Sequence, residues 1–327
     1  MAPERSSTDT HDFAPYVRIV GRGPGRARPL TRAEAADAMG MMLRGEAAPQ
    51  QIGALLMLLR YRGETADEIA GFLDAVRLHA GVPWRLSAPV DLDWPSYADG
   101  KTRGGAWYVL AAMLVSRAGV RVVMHGSLTG PGRRAIAATL HALGLTPATS
   151  PDDANTMLTS TGFAFLPIQS LSPDLASLLA LRGVLGLRSP INTVCRLLDP
   201  VGARTSVDGV FHPNYVKLHH EVATLMGRDV TILKGGGGEA EWNGAKPLVL
   251  HVNGVEETWP AIDIAGKPSG QAPDDLHAVW LGQRSDPAAE ATIVATAAVA
   301  LRVARVEKNP SACLALARTL WATRNRE

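Results

Sequence analysis

At about Val90 the apolar residues of this chain change their spacing, and that change limits the fold more than any single motif does. Before it the pattern is helical. Thr31 caps a helix with Glu34 at the capping-box position, and Ala35, Ala38, Met39 and Met42 carry its apolar face. Gly45 ends that helix, and Pro49 opens another in which Ile52, Leu55, Leu56 and Leu59 share a side. Thr65, with Glu68 three residues on, starts a third through Ile69, Phe72, Leu73 and Val76 to about His79. Three short, closely connected helices predict an α-helical domain over residues 31–85. After Val90, short apolar runs at 89–93, 120–124, 163–166, 230–233 and 248–252 read as strands. They alternate with helical stretches at 105–118, 131–143, 214–227 and 288–305, and a last helix is expected at about 310–323. The fold class expected is therefore α/β: a small N-terminal α-helical domain plus a larger α/β domain, 86–327. The larger domain should hold a mostly parallel central sheet flanked by helices. Residues 173–203, helical, apolar and arginine-containing, are expected to pack back on the N-terminal helices and complete their domain.

A chain of 327 residues can bury a substantial core. Its net charge of +2 excludes a uniformly basic nucleic-acid coat, so any anion site must come from local clustering. Residues 1–30 are read as a disordered leader followed by a basic arm. Arg18, Arg22, Arg26 and Arg28 stand there without an acid among Gly21, Gly23, Pro24 and Gly25. Two readings fit the arm: a solvated linker, or a segment that lies along an acidic partner. Cys195 and Cys313, far apart and without a partner motif, are expected as buried reduced thiols. No apolar run approaches the roughly 18–20 residues that a membrane span needs. Met1 to Phe13 lacks the apolar core of a signal peptide, so a cytoplasmic location without membrane contact is expected.

Between Asp91 and Gly126 the chain is laid out as strand, polar turn, helix, strand, the order of a phosphate-binding unit. Its turn, Trp94 to Gly105, lacks the spaced glycines that bring backbone N–H groups against an anion, and it carries Lys101 and Arg103. Side-chain charge is expected to hold an anion there; the alternative is a pair of solvated loop cations. Arg133, beside Arg134 at a helix start, opposes the helix dipole and is a candidate for the same work. Lys234 precedes four glycines, Gly235 to Gly238, at the end of a strand where ligands gather in open α/β sheets; the run reads as a mobile rim. Arg182 and Arg196 read as ordinary surface charges. His219 and His220 have no carboxylate or cysteine at metal-ligand spacing, so zinc is not expected, and no catalytic residue is assigned.

Taken in order, these segments resemble a known family. The pieces are Leu30-Thr31-Arg32-Ala33-Glu34-Ala35, Gly53-Ala54-Leu55-Leu56-Met57, Arg60 to Ile69, and Gly119 to Val123. His125-Gly126, Leu185-Gly186-Leu187-Arg188-Ser189 and His212-Pro213-Asn214-Tyr215 continue them. Over about 300 residues their order is similar to that of the anthranilate phosphoribosyltransferases, whose fold is shared with pyrimidine nucleoside phosphorylases. The resemblance implies that Arg188 matches an arginine facing substrate. It also exposes departures. The family's Gly-Thr-Gly-Gly-Asp loop falls on Ser96 to Gly100, which keeps only Asp99-Gly100. Lys-His-Gly-Asn-Arg reads Met124-His125-Gly126-Ser127-Leu128, without either cation. The magnesium-binding Asp-Glu pair falls near Ala240-Glu241, leaving one carboxylate. A charge-assisted hydrogen bond to a substrate phosphate is worth about 1.5–3 kcal/mol, and several such bonds are missing. The departures resemble a divergent branch of the family associated with nucleic-acid binding across a dimer. That branch implies a homodimer without phosphoribosyl transfer and without a cofactor. Nucleic acid, single-stranded or duplex, would meet Arg22, Arg26, Arg28, Lys101, Arg103, Arg133, Arg188 and Lys234 without strong sequence preference. Asp99, Gly100, His125, Gly126 and Glu241 are then remnants of a substrate site. The alternative is a phosphoribosyl or glycosyl transferase that uses a phosphoribosyl diphosphate-like donor, an aromatic or nucleobase acceptor, and magnesium.

Overall fold

The computed structural model describes residues 13–23, 25–97, 105–129, 134–262, 266–269 and 272–325. It shows a small N-terminal helical domain and a larger α/β domain built on a seven-stranded sheet. Helices α1 (Ala14–Gly21), α2 (Arg32–Leu43), α3 (Pro49–Arg62) and α4 (Ala66–Ala80) come first. The caps read in the sequence form as expected. Thr31 and Thr65 each accept the amide of the glutamate three residues on, and each glutamate answers the cap backbone. Helices α2 and α4 pack together so closely that a Cβ on Gly71 would lie 2.2 Å from the Arg32 carbonyl oxygen. Only glycine fits that crossing.

The basic arm begins differently from its expectation, because residues 14–21 are helical. Phe13 and Val20 are buried, and α1 packs on α3. Proline at the start of α1 and this apolar anchoring explain why the segment folds. Arg22 and Arg26 are exposed beyond the helix. Arg28 is ion-paired with Glu34 at 2.6 Å and so already has its anion. That bond, followed by the Thr31 amide, holds the Glu34 carboxyl down to about 2. A carboxylate with a depressed folded-state value stabilises the fold above its unfolded value of about 4.5 and loses that contribution as pH falls toward 2. In thermal melts the deficit of Glu34→Gln relative to wild type is therefore expected to be full above about pH 5 and to close as pH approaches 2.

The parallel strands are β1 (Leu92–Ser96), β2 (Val122–Gly126), β3 (Phe163–Pro167), β4 (Thr205–Val210) and β5 (Val230–Lys234). Strand β6 (Leu248–Val252) adds antiparallel to β5, and β7 (Val255–Trp259) antiparallel to β6. The order is β3-β2-β1-β4-β5-β6-β7. Helices α5 (Trp107–Ser116), α6 (Arg134–Ala142) and α7 (Pro151–Ser160) link the first three strands. Between β3 and β4 run α8 (Ile168–Leu171), α9 (Pro173–Ala180), α10 (Arg182–Leu185) and α11 (Pro190–Arg196). Helix α11 returns against α3 and α4. Helix α12 (Asn214–Leu225) links β4 to β5; α13 (Pro273–Leu281), α14 (Pro287–Val303) and α15 (Pro310–Ala322) end the chain. Strand pleating divides the sheet between two cores. Val122 and Met124 join the cluster around α5 and α14, while Val123, between them, joins the cluster that includes the helical domain. Cys195 and Cys313 are buried and no disulfide joins them. Among the described residues no helix is long and apolar enough to cross a membrane.

Candidate anion site at the sheet switch point

From β1 the strand order proceeds to β2 and β3 on one side and to β4 and β5 on the other. Such a reversal leaves a crevice at the carboxyl ends of the two central strands. Strand β4 ends there at Val210, and Phe211-His212-Pro213 lead into α12. Helix α3 brings Arg60 from the helical domain, and the segment from α10 into α11 brings Arg182, Arg188, Asn192 and Arg196. Together they line a cavity of about 370 Å³. Leu187 and Phe211, both exposed apolar side chains, edge it beside Tyr215.

Charge in this cavity is lopsided. Arg196 is buried, 3.1 Å from Asp208 Oδ1, and donates to the Gly209 carbonyl. Asp208 also meets His219 Nδ1 at 2.5 Å. Burial would raise the Asp208 carboxyl, but His219 and Arg196 outweigh it and hold the group below the usual carboxylate range. Arg188 makes no ion pair among the described residues. Burial, then repulsion from Arg196 and Arg182, pushes it down to about 10. Arg60 donates to the Tyr215 hydroxyl, whose own value is raised, first by burial and then by Glu64. Asn192 spends its oxygen on the Ser189 amide at 3.1 Å, while its buried Nδ2 has no hydrogen-bond partner. Four arginines and an unused amide donor suit a carboxylate or phosphate, and the apolar edge suits a flat ring.

Beside this cavity, the residue that follows β1 points into the interior. Tyr97 is buried, with its hydroxyl 2.9 Å from His125 Nδ1, and His125 Nε2 lies 3.2 Å from Asp93. Asp93 accepts from Ser206 at 2.8 Å, and Arg228 donates to Ser206 at 2.6 Å. His125 is therefore a core histidine held by side chains. Gly126, the last residue of β2, pairs with Ser96. Asp99, Gly100, Lys101, Arg103 and Arg133 lie outside the described residues.

Lys234 is exposed at the end of β5. The glycines after it form a hydrogen-bonded turn, Gly236–Gly238. The Glu239 carbonyl folds onto Gly235, where a Cβ would stand 1.6 Å from its oxygen. The same turn buries two carboxylates, Glu239 and Glu241. Glu241 accepts the Tyr108 amide in the first turn of α5 at 3.1 Å. Among the described residues no group of three or more His, Cys, Asp and Glu side chains converges on a metal position.

Of the expected site residues, then, Arg188 enters the cavity. Arg182 and Arg196, expected on the surface, stand with it; Arg196 is buried because Asp208 compensates it. Arg60, Asn192, Asp208, Tyr215 and His219 were not expected as a set. Tyr215 and His219 are four residues apart on one helix face, a signal available in the sequence.

Two family models match the chain: the helical bundle domain of a glycosyl transferase family over residues 15–80, and that family's α/β domain over residues 108–264. An anthranilate phosphoribosyltransferase of Moorella thermoacetica is 31% identical over 306 residues, 88% of each chain. The uncharacterized protein YbiB of Escherichia coli is 28% identical over 279 residues, 83% of this chain and 87% of its own. Among solved structures, the anthranilate phosphoribosyltransferase of Thermus thermophilus superposes with a TM-score of 0.78 over 94% of each chain at 24% identity.

Proposed function

The chain belongs to this glycosyl transferase family and is anthranilate phosphoribosyltransferase-like; from that premise we propose that its switch-point cavity holds a planar anionic acceptor for phosphoribosyl or related glycosyl transfer. The observation that carries the reading is the set of four arginines around one cavity, with Arg188 in no ion pair among the described residues, beside an apolar edge. Guanidinium forks match a carboxylate or phosphate in two-point contact, and Phe211, Leu187 and Tyr215 match the flat body of an aromatic molecule. On the donor side the buried Glu239 and Glu241 would be the residues to hold magnesium, one or two carboxylates being a usual protein share for that ion on a pyrophosphate. Bound there, the ion would offset pyrophosphate charge.

A second reading, non-catalytic nucleic-acid binding by a homodimer, is favoured by the side chains around His125. His125 sits under Tyr97 against Asp93, and Met124 and Leu128 stand where the transferases carry cations. The arginine cavity and the exposed Arg22 and Arg26 would then track phosphates without reading bases.

One paired experiment separates the two. Anthranilate with phosphoribosyl diphosphate and magnesium is assayed for pyrophosphate release, and single-stranded and duplex DNA are titrated at two salt concentrations. Magnesium-dependent release supports the transferase. DNA binding that falls with salt, at a slope of about −0.7 to −0.9 per phosphate, without turnover supports the second reading. Neither response removes both.

A further inference from the structure

Neutral donors and fixed cations dominate the cavity; of the two histidines that line it, His212 is exposed and His219 is buried. An ionised Asp208 carboxylate can only accept, so at 2.5 Å His219 Nδ1 must carry the hydrogen. In a neutral ring that leaves Nε2 as a bare lone pair, on a side chain that is 2% exposed and lines the cavity. A lone pair repels an anion. Adding a proton at Nε2 turns the same atom into a donor. The buried Asn192 Nδ2, without a partner in the same wall, independently marks this as a place where a ligand supplies acceptors. We propose that His219 and Asp208 make the arginine cavity a proton-linked anion site: an entering anion is accompanied by uptake of one proton onto His219. The proposal rests on reading the cavity as an anion site and adds its regulation by pH.

The surroundings set the direction. His219 shares the Asp208 carboxylate of β4 with Arg196 of α11. Arg188 before α11, Arg182 on α10 and His212 before α12 line the same cavity and add positive charge or the capacity for it. On the helix itself Tyr215 lies edge-on to the His219 ring at 6.0 Å, tied to Arg60 of α3, with Glu64 beyond it. Among the described residues no ion pair or hydrogen bond joins His219 to α4 or β5, which also pack on α12. By themselves the guanidinium groups discourage another positive charge. A dianion reverses that balance, so affinity must fall as pH rises through the imidazole range.

Sulfate is a suitable probe because its own charge is constant over that range. Calorimetric titration of the full chain at about pH 5.5 and about pH 8 is expected to show binding about tenfold tighter at the lower pH, the effect of a one-unit shift in a single linked group. Repeating it in buffers of contrasting ionisation heat should count about one proton taken up per anion. His219→Gln should lose both the pH slope and the proton uptake. Histidine NMR titration of the unmutated chain, with and without sulfate, follows the same group if that variant folds poorly, and one imidazole should titrate higher with sulfate present. Equal affinity at both pH values, or a slope that survives in folded His219→Gln, overturns the proton link and leaves the anion site standing. No sulfate binding at either pH overturns both.

Discussion

Arg188→Ala is expected to weaken anion capture about 10- to 150-fold, the loss of one charge-assisted group worth about 1.5–3 kcal/mol. The same change should leave the melting temperature unaltered or raise it. Arg188 is half-buried, repelled by Arg196 and Arg182, pushed down to about 10, and without an ion pair among the described residues. Such a cation contributes little to the fold by itself and much to the fold with an anion bound. Lower affinity with intact stability thus distinguishes a binding role from a structural one, and calorimetry with sulfate and anthranilate beside a thermal melt reads both. Arg188→Lys keeps the charge but not the planar fork, so an intermediate loss is expected. Arg196 makes the contrast. It shares Asp208 in the interior, and its truncation should damage the fold as well as the site. If nucleic acid is the ligand, the Arg188→Ala defect should hold across sequences and lower the salt slope by about 0.7–0.9, one phosphate contact. An unchanged affinity for all three probes would remove Arg188, and with it the cavity, from the function.

What is legible in the sequence is what obeys a period. The starts of α2 and α4 are marked by Thr31 and Thr65 with a glutamate three residues on, and both boxes form. Strands β2, β3, β5 and β6 are apolar runs, and they fall within two residues of where hydropathy puts them. Strand β4 is not, although it occupies the middle of the sheet. Its Thr-Ser-Val-Asp-Gly-Val carries Ser206 and Asp208 into the interior, where Asp93, Arg228, Arg196 and His219 satisfy them. Those partners come from four separate parts of the chain, so no local window shows that a polar segment is a buried strand. The same cause hides the site. Arg60, Asn192, Tyr215 and His219 look like scattered polar residues until the switch between β1 and β4 brings α3, α11 and α12 to one crevice. Lys101 and Arg103 drew attention because they share a short turn, and proximity in sequence is the easiest clustering to see.

Glu68→Ala should be among the most damaging single substitutions, costing about 3–5 kcal/mol, the range for stripping the partner from a buried charge. Glu68 is fully buried and does four jobs. Its Oε1 accepts the Leu30 amide at 2.8 Å, which fixes the entry to α2. Its Oε2 accepts the Thr65 amide and hydroxyl at 2.9 and 3.0 Å and an ion pair from Arg62. Alanine would leave two backbone amides without acceptors beside a largely buried guanidinium. It would also release α2 from α4 where Gly71 sets their crossing. For a chain of this size such a loss corresponds to a fall of roughly 4–7 °C in the melting midpoint. Glu68→Gln keeps an acceptor oxygen and gives up the charge, so a smaller fall is expected. The effect should reach the site, because α3 carries both Arg62, which pairs with Glu68, and Arg60, which donates to the Tyr215 hydroxyl. A folded fraction of Glu68→Ala should therefore bind sulfate more weakly than wild type. A melt within about 2 °C of wild type, the shift expected for no more than about 1 kcal/mol, would mean that the capping box and the Arg62 pair contribute almost nothing.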